Sequence, residues 1–204
     1  MTCSVEWVLF DFGGVLAEEG FVNGLRALGA AQGLDPDHVV QTGIEQVFET
    51  GYVLGRAPEE AFWQAIRDRA GLTGSDAQFQ KTILDHFVLR PWMLDLVEQL
   101  SAHNIRCAIL SDQVNWLDIL NERHSFYPLF ERVFNSFKLG QSKRDPALFS
   151  QVAAWLGISP EQALFIDDSA GNVDRAGSQG LQTILYTGRQ DFLARLATFC
   201  LGLV

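Results

Sequence analysis

The sequence has no basic cluster, no internal repeat, no low-complexity tract and few cysteines. Lys and Arg number 15 against 25 Asp and Glu, and the resulting formal net charge of −10 repels polyanions, which argues against a nucleic-acid partner. No apolar stretch approaches the ~18 residues needed to cross a bilayer, so a membrane role has no support. Met1 to Phe10 lacks the basic start of a secretion signal and holds only a short apolar run, so a cytoplasmic protein is expected. Cys3, Cys107 and Cys200 are scattered, odd in number and without the paired short spacings of a structural zinc site. They read as reduced, mostly buried thiols.

What is present suffices for a folded core. The chain has 204 residues, 48% of them hydrophobic, enough for one large domain or a main domain with a small insertion. Four short apolar runs, at 5–10, 105–110, 163–166 and 183–186, are bounded by polar residues or glycine and read as buried strands. Stretches at 93–102, 146–156 and 172–179 have helical apolar spacing. Strand followed by helix, repeated, predicts an α/β fold: a Rossmann-like parallel sheet core flanked by helices. Asp145-Pro146 reads as an N-cap followed by proline at the first helical position, and Gly157 and Gly180 sit where helices should stop.

Residues 19–87 break this rhythm, because their apolar residues recur at three and four positions and no convincing strand appears. A small helical cap domain is expected there, inserted after the first strand, with 1–18 and 88–204 forming the core domain. Pro36, Pro58 and Pro91 punctuate it, and Phe48, Tyr52, Leu54, Phe62, Trp63 and Ile66 would supply its core or its seam with the main domain. An insertion at the carboxyl ends of parallel strands lies where ligands of open α/β sheets bind, which makes it a lid.

The residues able to do chemistry stand at the ends of the expected strands. Val8-Leu9-Phe10-Asp11-Phe12-Gly13-Gly14 delivers a carboxylate at a strand end, followed by two glycines; Asp11 is either a turn cap or a reactive group. Leu164-Phe165-Ile166-Asp167-Asp168 ends in adjacent acids, whose mutual repulsion a cation would offset; magnesium suits such an oxygen-rich set. The alternative is that Asp167 and Asp168 cap the following helix. A third strand ends in Ser111-Asp112, where the hydroxyl can donate to a phosphate oxygen, and Lys143 lies in a loop before a helix, where a cation can neutralise phosphate and nucleophile.

Together and in this order, these segments resemble the haloacid dehalogenase-like hydrolases over nearly the whole chain, and among them the small sugar-phosphate phosphatases of the bacterial glucose-1-phosphatase kind. The resemblance implies Asp11 as nucleophile, Ser111 and Lys143 as phosphate partners, and a magnesium ion held by Asp11, the Gly13 carbonyl and the pair Asp167 and Asp168. It implies a soluble phosphatase acting on a small phosphate ester, a sugar phosphate by the subgroup, through an aspartyl phosphate, as a monomer or homodimer. The backbone amides of Phe12 and Gly13 would add donors, while Glu18, Glu19 and residues near Tyr52 are candidates for contacts from the cap. Gly140, Lys143, Asp145, Pro146 and Phe149 match the family's third motif, except that Arg144 replaces a proline.

One departure bears on turnover. Phosphatases of this family usually carry a second aspartate two residues after the nucleophile, and here that residue is Gly13. The usual general acid and base is therefore missing, which leaves turnover slowed, selective for good leaving groups, or dependent on another acid. Asp112 is one candidate, although the family's asparagine at that position implies for it a structural or substrate- and phosphate-contact role instead. Two rival readings follow: a 2-haloacid dehalogenase, against which the Asp167-Asp168 pair argues, and a phosphate-binding or partner-binding protein that has lost efficient catalysis.

Overall fold

Five short strands run in parallel through the centre of the fold, which is a computed structural model describing residues 2–201. In chain order the elements are β1 (Thr2–Cys3), β2 (Trp7–Phe10), α1 (Gly20–Ala31), α2 (Pro36–Glu49), a 3-10 turn (Tyr52–Leu54), α3 (Glu59–Ala70) and α4 (Asp76–His86). There follow α5 (Pro91–Ala102), β3 (Arg106–Ser111), α6 (Trp116–His124), β4 (Arg132–Asn135), α7 (Ser136–Leu139) and α8 (Ala147–Leu156). The chain ends with β5 (Ala163–Asp167), α9 (Ala170–Ser178), β6 (Gln182–Leu185), α10 (Arg189–Phe199) and β7 (Cys200–Leu201).

The sheet order is β4-β3-β2-β5-β6, so β2 is central, and every pairing in the sheet is parallel. Successive side chains of a strand point to opposite faces. Val8 and Phe10 accordingly enter one apolar core, and Trp7 and Leu9 enter the other with Phe149 and Val152 of α8. Burial on both faces explains why β2 reads as an unbroken apolar run rather than an alternating one. In register, Phe10 lies beside Ile109 of β3 and Ile166 of β5, so the residues that follow these three strands emerge along one edge.

The expected strands and helices are present with shifts of at most two residues at their ends. The helix at 147–156 starts one residue later than expected, with Pro146 rather than Asp145 at the N-cap; Asp145 accepts from the Ala147 N–H at 3.0 Å, and Gly157 closes the same helix in the left-handed region at φ 71°. Sequence reading missed β4. It is an edge strand of four residues whose first two positions are exposed or half-buried, so it lacks a recognisable apolar run. It also missed the two-stranded antiparallel ribbon that pairs Thr2 with Leu201 and Cys3 with Cys200. Cys200 is disulfide-bonded, which corrects the expectation of three reduced thiols; among the described residues Cys107 is free, and buried. Nearly the whole chain separates the two ribbon strands, and no local spacing signals such a pairing.

Between β2 and α5 the described residues form four α-helices and the 3-10 turn, with no strand. The chain leaves the sheet and returns to it side by side. Glu18 N–H donates to Val88 carbonyl at 2.8 Å, Arg90 N–H to Leu16 carbonyl at 2.9 Å, and Ala17 bridges Leu89. Within the insertion α1 packs on α2 and α4. A Cβ at Gly24 would stand 2.6 Å from Ile83 Cα, so glycine is what lets α1 and α4 approach.

Candidate active site

Where β2, β3 and β5 end, four of the sequence-marked side chains face one another. Lys143, delivered by the loop before α8, reaches Asp11 Oδ2 at 2.9 Å and Asp167 Oδ2 at 2.6 Å. It is 1% exposed. A bare ammonium at that depth would be strongly disfavoured, and burial does pull its pKa down; Asp11, Asp167 and Asp112 outweigh this and hold it above the ordinary lysine range. The loop is itself anchored, since Lys143 N–H donates to both Asp112 oxygens at 2.9 and 3.2 Å and Arg175 Nε donates to the Lys143 carbonyl at 2.7 Å.

Asp11 follows the last residue of β2, and its N–H donates to Ile166 carbonyl at 2.9 Å. Burial pushes its carboxyl well above the usual range; Lys143 opposes this, and Asp167 and Asp168 add to it. Asp167, the last residue of β5, is fully buried and accepts from Ser169 N–H at 2.8 Å and from Asn172 Nδ2 at 3.1 and 3.0 Å. Asp168 leans over the glycine turn: a Cβ at Gly14 would fall 2.0 Å from its Oδ2, and Gly14 has φ +79°. The positive φ is what calls for glycine at 14, and a side chain there would in addition have to displace the Asp168 carboxylate.

Asp11, Asp167 and Asp168 offer oxygens that all lie within 4.8 Å of one another. Burial, then the neighbouring Asp167 charge, also raises the pKa of Asp168. Three carboxylates this close, with one ammonium among them, form a set that a divalent cation fits by charge and by donor type.

Ser111, at the end of β3, is buried, and its hydroxyl makes no hydrogen bond among the described residues. One expectation changes at this point. Phe12 N–H donates to Asp11 Oδ1 at 2.7 Å, so this amide fixes the Asp11 carboxylate and is not a free donor for a ligand. The Phe12 ring is fully buried between Phe126 and Phe87, with centroids at 5.0 and 5.7 Å, so its side chain belongs to the core. Asp112 has both oxygens engaged by the Lys143 N–H, which is the structural role expected of it in preference to that of a spare acid. Gly13 lines the cavity, and neither its N–H nor its carbonyl makes a hydrogen bond among the described residues.

Glu19 is the group that sequence reasoning undervalued. It is the N-cap of α1, with Oε1 accepting from Val22 N–H at 3.2 Å. A Cβ at Gly13 would lie 2.6 Å from Glu19 Oε2. The space that a side chain at 13 would need is thus held by a carboxylate from the insertion. Burial pushes the Glu19 pKa up from 4.5 to about 7, against the Val22 amide, which lowers it. The local signal was an acid in N-cap position just before an apolar helical face; what it faces is not encoded locally. Glu18, by contrast, turns away to pair with Arg90 at 3.0 Å and is half exposed.

These groups border a cavity of about 210 Å³. Its floor is Asp11, Gly13, Ser111, Asp112, Lys143 and Asn172; its roof is Phe21, Val22, Ile44, Val47, Phe48 and Val53 from the insertion. The insertion is pinned over it. The Arg144 guanidinium lies 3.2 Å from the Phe48 ring centroid, Ser136 Oγ donates to Val53 carbonyl at 2.9 Å, and Arg56 Nη2 donates to Gly140 carbonyl at 3.0 Å. Arg144, the departure from the family's third motif, thus serves as a clamp on the roof.

A family model for haloacid dehalogenase-like hydrolases matches residues 5–180. Among solved structures the chain is similar to HAD family enzyme bt-2542 from Bacteroides thetaiotaomicron, in complex with magnesium and inorganic phosphate. The TM-score is 0.70 at 22% identity, covering 93% of this chain and 99% of that one. It is also similar to L-2-haloacid dehalogenase from Xanthobacter autotrophicus with chloropropionic acid covalently bound, at TM-score 0.67 and 18% identity, covering 95% and 82%. At these identities the likeness is one of fold. Acyl-CoA dehydrogenase family member 10 of Mus musculus is 32% identical over 98 residues, 46% of this chain and 9% of that protein. The chain therefore corresponds to a small part of that relative's length.

Proposed function

The chain belongs to the haloacid dehalogenase-like hydrolases, and on that premise we propose that it is a magnesium-dependent phosphatase of small phosphate monoesters, with Asp11 as nucleophile. The single observation that carries this reading is the cluster of Asp11, Asp167 and Asp168 around the Lys143 ammonium, with the open Ser111 hydroxyl beside it. Halide displacement by a carboxylate has no use for two further acids, so the dehalogenase reading leaves Asp167 and Asp168 unexplained. Magnesium, bound by Asp11, Asp167, Asp168 and the Gly13 carbonyl, would neutralise phosphoryl oxygens and relieve the repulsion among the acids.

The reading assigns the following work to the chain's own residues. Lys143 and Ser111 hold phosphoryl oxygens, while the Phe12 amide and Lys143 orient the Asp11 carboxylate. Asp11 attacks phosphorus; the bond from phosphorus to the leaving oxygen breaks, and its electron pair goes to that oxygen. Glu19 Oε2 supplies the proton, because the other acid lining the cavity besides Asp11, Asp112, is occupied by backbone donors. In the second half-reaction Glu19 takes a proton from water as its oxygen attacks phosphorus, which returns the electron pair to Asp11 and releases inorganic phosphate. Residues 19–87 act as the cap and exclude bulk water. The cytoplasm is the proposed setting, against which the disulfide at Cys200 is the observation to weigh.

The test is phosphate release from a panel of phosphate monoesters with magnesium and with chelator. Asp11→Asn is expected to abolish release while leaving the melting temperature within a few degrees, since asparagine is nearly isosteric and cannot attack. Release by Asp11→Asn at the wild-type rate would end the assignment, and halide release from 2-haloacids with chelator present would favour the dehalogenase. A protein that binds phosphate yet releases none from any ester, and forms no beryllofluoride adduct, would be a binding protein.

A further inference from the structure

The cavity has two unlike halves. Its floor is built of charged and hydroxyl groups at strand ends, while its roof presents Phe21, Val22, Ile44, Val47, Phe48 and Val53, none of which has a hydrogen-bonding side chain. On the leaving-group side the polar exceptions are Glu19, next to Gly13, and Gln113, whose Oε1 accepts from Val114 N–H at 3.1 Å and whose Nε2 is left as a single amide donor among the described residues. A sugar brings several hydroxyls. Buried against such a roof most of them would lose water without gaining partners, because Glu19 and the Gln113 amide can meet only one or two; each unmet hydroxyl disfavours binding, whereas apolar surface is favoured there. The roof is also fixed: Phe48 is clamped by Arg144, and Val53 is held by the Ser136 hydroxyl.

Resting on the phosphatase reading, we infer that this site takes the phosphate monoester of a compact hydrophobic alcohol, and that the expectation of a sugar phosphate does not hold. The phosphoryl group sits on the floor among Asp11, Ser111 and Lys143, and the hydrocarbon fills the space beneath Val47 and Phe48. An unactivated alcohol is a poor leaving group, so the carboxylate at the boundary between the halves, Glu19, lies where its leaving oxygen needs a proton.

A matched pair tests this. Cyclohexyl phosphate and glucose 1-phosphate carry six-membered rings of similar size and differ in the ring oxygen and hydroxyls, and the sugar is the better leaving group. Chemistry alone therefore favours glucose 1-phosphate, and a preference for the cyclohexyl ester must come from the cavity. With magnesium present, kcat/KM is expected to favour cyclohexyl phosphate by at least about tenfold. Val47→Thr, which keeps the shape and adds a hydroxyl, should narrow that ratio, while competitive inhibition by inorganic phosphate, which reads the floor alone, stays unchanged. Should Val47→Thr fail to fold, Ile44→Asn read by the same ratio replaces it. Equal or better turnover of glucose 1-phosphate overturns the inference and leaves the phosphatase reading intact. No phosphate release from either ester or from p-nitrophenyl phosphate ends both.

Discussion

Among single residues, Glu19 and Gly13 form the pair with the sharpest consequences. They compete for one volume: Glu19 Oε2 stands 2.6 Å from where a side chain at 13 would begin. An aspartate introduced by Gly13→Asp would have to push the Glu19 carboxylate aside and set a second buried carboxylate against it, so it should destabilise the protein, and Glu19→Ala in the same chain should recover much of the loss. A double-mutant cycle by urea denaturation measures that coupling, and additive effects would show that the two positions do not share the space. For turnover, Glu19→Gln is expected to slow release from alkyl phosphates by about 10²- to 10⁴-fold. Release from p-nitrophenyl phosphate, whose leaving group needs no proton, should change far less. An unchanged ratio between the two substrates would return the role to Asp112.

The elements of the insertion are joined to the core by Glu59 in the first turn of α3. Its carboxylate accepts from Trp63 Nε1 at 2.8 Å, Gln80 Nε2 at 2.9 and 3.1 Å, Trp116 Nε1 at 3.1 Å and the Tyr52 hydroxyl at 3.1 Å. One side chain thereby ties α3, α4 and the 3-10 turn to α6, amid the packed rings of Tyr52, Phe62, Trp63 and Trp116. Glu59→Ala would leave several part-buried donors without partners, at about 1–3 kcal/mol for each that water cannot reach. Loss of about 3 kcal/mol or more in chemical denaturation, with a change in tryptophan emission, is expected. A loss under ~0.5 kcal/mol would mean that the apolar seam suffices without this hub.

Across the whole molecule, acidity and cation binding are linked through the carboxylate cluster. In the metal-free protein, burial raises the pKa values of Asp11, Asp112, Asp168 and Glu19. The folded state then binds protons more tightly than the unfolded chain, so stability is fullest at low pH and falls as pH rises. For Glu19 the window runs from 4.5 to about 7. Lys143 acts in the same sense but in a higher window: its raised pKa keeps its contribution present across this whole range and removes it only in strong alkali. The chelated protein is expected to melt at a lower temperature at pH 7.5 than at pH 5. Magnesium should raise the melting temperature more at pH 7.5, where the acids are ionised. A magnesium effect equal at both values, read by calorimetry, would count against a cation among these acids.

The sequence alone determined the parallel α/β sheet, because strands buried on both faces must be apolar throughout, and that leaves a visible run at β2, β3 and β5. It also marked Asp11, Ser111 and Asp167 as candidates, because a polar group abruptly ending an apolar run stands out, while Lys143, in a loop before α8, was marked only by the resemblance of the four segments taken together. Only the tertiary structure decided the short edge strand β4, the pairing of the two termini, the engagement of Phe12 and Asp112 by backbone contacts, and the place of Glu19 over Gly13. Each of these depends on which distant segment lies opposite. Local pattern records what a residue prefers to be near, water or hydrocarbon, but not which neighbour it meets. An acid six residues beyond Gly13 came to fill the space above it only because α1 folds back over the sheet edge.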